Sequence, residues 1–174
     1  MAEFALPSKP ALNHPPIHGD GLSIAYRQGG SIVQVLARAE QMDIGRIRQA
    51  LDGLACSVRP LGPDQWLLVF DHEAGEEERR GLAALLPDIA LVEQSAGRVR
   101  IGVAGANAAR VLAKGAAVDF DEREFPVGSA TPCLVGHIPA HVARLGKDGF
   151  ELIVLRSFAQ SLWHDLEEMS AEYL

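Results

Sequence analysis

The sequence lacks any long apolar run. Its longest, such as Trp66 to Phe70 and Leu152 to Leu155, fall far short of the roughly 20 residues needed to cross a bilayer, so no membrane partner is expected. Met1 to Leu6 contain Glu3 and neither a basic region nor an apolar run before Pro7. No secretory signal is recognisable there, and a cytoplasmic location is expected. Cysteine is scarce: Cys56 and Cys133 lie far apart without metal-ligand spacing, and in a reducing compartment both are expected as free thiols. Positive charge is in deficit. With 16 Lys and Arg against 23 Asp and Glu the formal net charge is −7, which repels phosphate backbones and anionic lipid and argues against nucleic acid as a partner.

The motifs of self-contained catalysis are also missing. A dinucleotide site needs Gly-x-Gly-x-x-Gly between a strand and a helix so that backbone amides approach a pyrophosphate; Gly102-Val103-Ala104-Gly105 lacks the third glycine. No Gly-x-x-x-x-Gly-Lys-Ser/Thr phosphate cradle occurs. His137 and His141, with Pro139 between them, are expected on one side of an extended segment. With only Cys133 nearby as a further ligand they fall short of a zinc set. His14 and His18 flank Pro15-Pro16 and read as residues of an irregular segment. Cys133 or Ser129 would need a base and an oxyanion site to act as nucleophiles. Asp119, Asp121, Glu122 and Glu124 read as a solvated acidic patch on a loop rather than an acid-base pair. No catalytic, cofactor-binding or metal-binding residue is therefore assigned.

What is present is a globular composition. At 174 residues, 48% hydrophobic and 22% charged, the chain is sized for one folding unit. Residues 1–30, with Pro7, Pro10, Pro15 and Pro16, read as an extended arm without helical or strand periodicity. Residues 31–174 read as a single α+β domain of two similar halves, 31–95 and 96–174, each with a strand-helix-strand pattern. In the first half a strand over 31–36 precedes a helix capped by Asp43, with Ile44, Ile47, Leu51 and Leu54 on one face, stopping before Pro60. The turn Leu61-Gly62-Pro63-Asp64 leads to a strand over 65–70. A helix over 75–86, packed through Leu82, Leu85 and Leu86 and closed by Pro87, precedes a strand over 89–93. In the second half Val99, Ile101 and Val103 mark a half-buried strand, with Arg98, Arg100 and Gly102 on its other face. A helix over 106–114 ends at Gly115, expected in the left-handed position. A strand over 133–145 meets Phe150 to Leu155 across Gly146-Lys147-Asp148-Gly149. Ser157 to Gln160 has the form of a capping box opening a last amphipathic helix.

The second half also carries a resemblance. Gly97-Arg98-Val99-Arg100-Ile101, Gly105 to Gly115, Phe125-Pro126-Val127-Gly128-Ser129, His137-Ile138-Pro139, Arg144-Leu145 and Phe150-Glu151-Leu152-Ile153-Val154 with Arg156 to Ala159 resemble, in order, the gamma subunits of heterotetrameric sarcosine oxidases. Leu61 to Leu68 is similar to the turn-strand of that family and of the folate-binding aminomethyltransferase superfamily. The resemblance runs from about residue 30 to the C-terminus. It implies a fold like the folate-binding domain of aminomethyltransferases and a non-catalytic role, inactive alone, beside alpha, beta and delta subunits. The larger subunits of such complexes would hold FAD, FMN and NAD, oxidise sarcosine and pass the one-carbon unit to tetrahydrofolate or release formaldehyde, with oxygen reduced to peroxide. The alternative it leaves open is a stand-alone folate-binding or folate-dependent aminomethyltransferase-like protein.

Overall fold

The structure is a computed structural model that describes residues 10–37, 44–85 and 89–174. From the N-terminus come β1 (Ile17–Gly19), β2 (Leu22–Arg27), β3 (Ser31–Ala37), α1 (Ile44–Ala50), β4 (Cys56–Gly62), β5 (Gln65–Phe70), α2 (Glu76–Leu85) and β6 (Ile89–Glu93). There follow β7 (Arg98–Ala104), α3 (Ala108–Gly115), β8 (Ala130–Val135), β9 (Ile138–Gly146), β10 (Gly149–Leu155) and α4 (Ala159–Ser170). The strands form a six-stranded sheet, β1-β2-β7-β10-β9-β8, and a four-stranded sheet, β4-β5-β3-β6. The named pairings are all antiparallel.

The small sheet with α1 and α2 is a β-α-β-β-α-β unit. The inner strands of the large sheet, β9-β10-β7-β2, repeat its order, with β2 standing where β6 stands in the first unit. The second unit thus takes its last strand from the N-terminal side of the chain. Helices α3 and α4 cover the outer face of the large sheet, where Leu12, Ile24, Ile101, Val111, Leu152, Leu162 and Trp163 share one core. Helices α1 and α2 cover the outer face of the small sheet through Ile47 and Leu82, joined by Leu51 just after α1. The inner faces meet through Ile32, Leu67 and Val69 on one side and Ile153 on the other. Four layers result, helix-sheet-sheet-helix.

Several expectations are corrected. The arm reading fails over the described part of residues 1–30: residues 17–19 and 22–27 are strands, and Leu12, Leu22 and Ile24 are buried core, while residues 1–9 lie outside the described residues. The prolines at 7–16 masked a short alternation, Leu22-Ser23-Ile24, behind the Asp20-Gly21 turn. Helix α1 ends at Ala50, and Pro60 sits inside β4, an edge strand with a register shift at Pro60/Gly62, a place that tolerates a missing donor. Leu85 is exposed, leaving Leu82 as the buried contact of α2; Asp43, Leu86 and Pro87 lie outside the described residues. The single strand over 133–145 is two, β8 and β9, joined at Gly136-His137. Gly115 is not left-handed; a Cβ there would meet the Met169 sulfur at 2.6 Å, so the glycine leaves room for the Met169 side chain of α4 against the end of α3. The capping box does not form: α4 begins after a 3-10 turn over Arg156–Phe158 and carries no side-chain cap.

Candidate functional site

Arg98 and Arg100, expected on the open side of a half-buried strand, instead face the second sheet. They share that inner face with Glu151, because Leu155 pairs with Arg98, Ile153 with Arg100 and Glu151 with Gly102. Glu151 is fully buried. Its carboxylate accepts bonds from Arg59 Nη1 of β4 at 2.7 Å and from Arg100 Nε at 2.9 Å, and Arg27 of β2 stands 3.5 Å away. Arg100 also donates from Nη1 to the Phe70 carbonyl at 3.0 Å and from Nη2 to Asp71. One carboxylate therefore ties arginines of both sheets together. Burial holds Arg59 below the ordinary guanidinium value despite Glu151. Burial pulls Arg100 the same way, but Asp71 and Glu151 outweigh it and its net shift is upward. The bond from Arg100 lowers Asp71.

Gly30, between β2 and β3, makes this packing possible. Its φ is +81°, and a Cβ would lie 2.4 Å from the Phe70 carbonyl and 2.5 Å from Arg100 Nη1. Beside the network lies a cavity of about 260 Å³ whose lining includes Tyr26, Arg27, Ser95, Arg98, Arg100 and Arg156.

The sequence-derived candidates separate. His137 is exposed at the β8–β9 turn, whereas His141 is buried within β9, so the expected shared side is not realised. His141 Nε2 donates to the Pro60 carbonyl at 2.8 Å, which leaves Nδ1 as the unprotonated nitrogen, buried and without a partner among the described residues. Burial pushes its pKa down to about 4. Cys133 shares an apolar groove of about 430 Å³ with His141, Leu134 and Leu155, but burial raises its thiol pKa, and Cys56 is raised likewise by burial and then by Glu78. A raised thiol stays protonated at neutral pH and is a poor nucleophile. Ser129 serves structure: its carbonyl accepts from the Arg144 amide and its amide donates to the Pro126 carbonyl. The acidic loop is tied rather than loose. Asp119 accepts from the Asp121 amide, and Asp121 accepts from Arg123, which lowers Asp121 to about 2. Buried Arg144 donates to the carbonyls of Phe120, Phe125 and Lys147, binding that loop to the β9–β10 turn. His14 stacks on Trp163 at 5.4 Å and bonds Gln160, while His18 is exposed. Among the described residues no group of three or more His, Cys, Asp or Glu could hold a metal ion.

The arginine-glutamate network is what sequence reasoning missed. Its signal was a charged residue inside an otherwise apolar strand, Phe150-Glu151-Leu152-Ile153-Val154, opposite the Arg98-x-Arg100 pair. Its members are paired with one another, as in a structural clamp.

Fold and site together define a two-unit α+β protein whose buried charges join its sheets. The sequence pattern of the "Sarcosine oxidase, gamma subunit family" matches residues 35–172. The chain belongs to that family. It is similar to the sarcosine oxidase subunit gamma of Corynebacterium sp. (strain U-96), 29% identical over 131 residues. That match covers 75% of this chain and 62% of the relative's length. Among solved structures, a chain of the heterotetrameric sarcosine oxidase from Corynebacterium sp. U-96 in complex with pyrrole 2-carboxylate superposes with a TM-score of 0.77 at 21% identity, covering 90% of this chain and 88% of that one. The glycine cleavage system aminomethyltransferase T from Bartonella henselae superposes with a TM-score of 0.59 at 14% identity, covering 86% of this chain and 46% of that one. The α+β class and the aminomethyltransferase-like fold expected from sequence both hold.

Proposed function

We propose that this chain is the non-catalytic gamma subunit of a cytoplasmic heterotetrameric sarcosine oxidase. It stabilises an assembly whose alpha, beta and delta subunits bind FAD, FMN and NAD and oxidatively demethylate sarcosine to glycine, with tetrahydrofolate taking the one-carbon unit. The observation that carries this reading is the family match over residues 35–172, joined to a fold match over nearly the whole of a chain from such a complex. The network around Glu151 supports it, since its charges are spent on one another. No helix of the described residues is long and apolar enough to cross a membrane. A stand-alone folate protein rests on likeness of fold alone, and fold does not fix function.

Co-expression tests the proposal. With the three partner subunits, sarcosine-dependent peroxide release should appear, and omitting this chain should lower it at least tenfold. The purified chain alone should show no flavin absorbance and no turnover. Undiminished turnover without this chain would overturn the reading.

A further inference from the structure

We infer that the cavity beside the Glu151 network is an anion-binding site that takes a carboxylate, with Arg98 as its principal ligand. On the inner face four arginines, Arg27, Arg59, Arg98 and Arg100, stand against two carboxylates, Glu151 and Asp71. This excess of positive charge is out of keeping with a chain of net charge −7. Arg156 and Glu73, one of each sign, complete the charged lining of the cavity.

The excess is concentrated on Arg98. Arg100 spends its donors on Glu151, Phe70 and Asp71, and Arg59 is bonded to Glu151 and Ser57. The half-buried Arg98 has no such carboxylate: its Nε is buried and without a hydrogen-bond partner among the described residues. Burial of a guanidinium without a counter-charge is costly, and an anion entering the cavity supplies what is missing. Arg27, 45% exposed and only 3.5 Å from Glu151, can turn towards the same ligand. The Ser95 hydroxyl in the lining already accepts from the Ile32 amide and donates to Glu93, so Arg98 and Arg27 are the donors that an anion would meet. A carboxylate fits best, because its two oxygens match the planar fork of a guanidinium. At about 260 Å³ the cavity suits a small carboxylic acid or one acidic side chain of a bound protein, and is below the usual range for larger ligands. The site stands on this chain's own geometry and does not require the assembly proposed above.

The test uses the full chain labelled with nitrogen-15, titrated with citrate against chloride at equal ionic strength. The Arg98 Nε–H resonance should shift saturably with citrate and not with chloride, and the thermal midpoint should rise. Both effects should vanish in Arg98→Gln. A second arm measures how Arg98→Gln assembles with the partner subunits. At least tenfold weaker assembly assigns the carboxylate to a partner side chain, with or without citrate binding; normal assembly with citrate binding assigns it to a free small acid. Citrate acting no differently from chloride, together with normal assembly of the variant, would overturn the inference.

Discussion

Removing the Glu151 carboxylate would leave Arg59 and Arg100, which repel one another, confined between two sheets. Glu151→Gln is therefore expected to lose about 3–5 kcal/mol of stability, the scale for breaking a buried ion pair, read as a shift in the urea midpoint. Asp71 touches the same arginine from a position 84% exposed, and Asp71→Asn should cost no more than about 1 kcal/mol. Equal losses in the two variants would refute the clamp. His141 gives the fold a pH dependence. Burial lowers its pKa from 6.5 to about 4 in the folded chain, so between those values the unfolded chain holds the extra proton. Stability is then full above about pH 6.5 and falls as the pH drops towards 4, by on the order of 3 kcal/mol. In His141→Asn that part of the slope should flatten, as pH-resolved chemical denaturation would show. Neither Glu151 nor His141 announced its role in the sequence, because an alternating strand reveals two faces without saying that a second sheet covers the polar one.

At the scale of elements, the connection through Gly29 and Gly30 sets how the two sheets meet. Both glycines have positive φ, but a Cβ at Gly29 would meet nothing within 4 Å whereas one at Gly30 would strike the Phe70 carbonyl. Gly29→Ala should cost about 1–2 kcal/mol for the left-handed backbone, and Gly30→Ala about 1–3 kcal/mol more for overpacking. Equal thermal midpoints in the two variants would contradict this geometry. The β1–β2 hairpin is equally demanding. Deleting residues 1–27 removes Leu12, Leu22 and Ile24 from the core and bares the edge of β7, which is expected to leave the protein insoluble; a soluble, cooperatively melting truncation would disprove it. Most elements were legible in the sequence. The 3.6 and 2.0 periodicities located β3, β5, β6, β7 and the α2 and α4 helices within a few residues, and Asp148-Gly149 marked the β9–β10 hairpin. What escaped were β4, whose Pro60 spoke for a loop, and β2, which completes a unit 73 to 81 residues further along the chain. Pairing at that distance leaves no local pattern.

For the molecule as a whole, two β-α-β-β-α-β units pack sheet to sheet with buried charges joining them, and the chain belongs to the sarcosine oxidase gamma subunit family. The candidate site was the least legible feature, because a buried arginine and an exposed one look alike in a single sequence. The direct test of the subunit role is the native mass of this chain purified by its own tag after co-expression with the three partner subunits. The account predicts one species of the summed mass containing one copy of each. Recovery of this chain as a free monomer, with the partners assembled without it, would contradict the account.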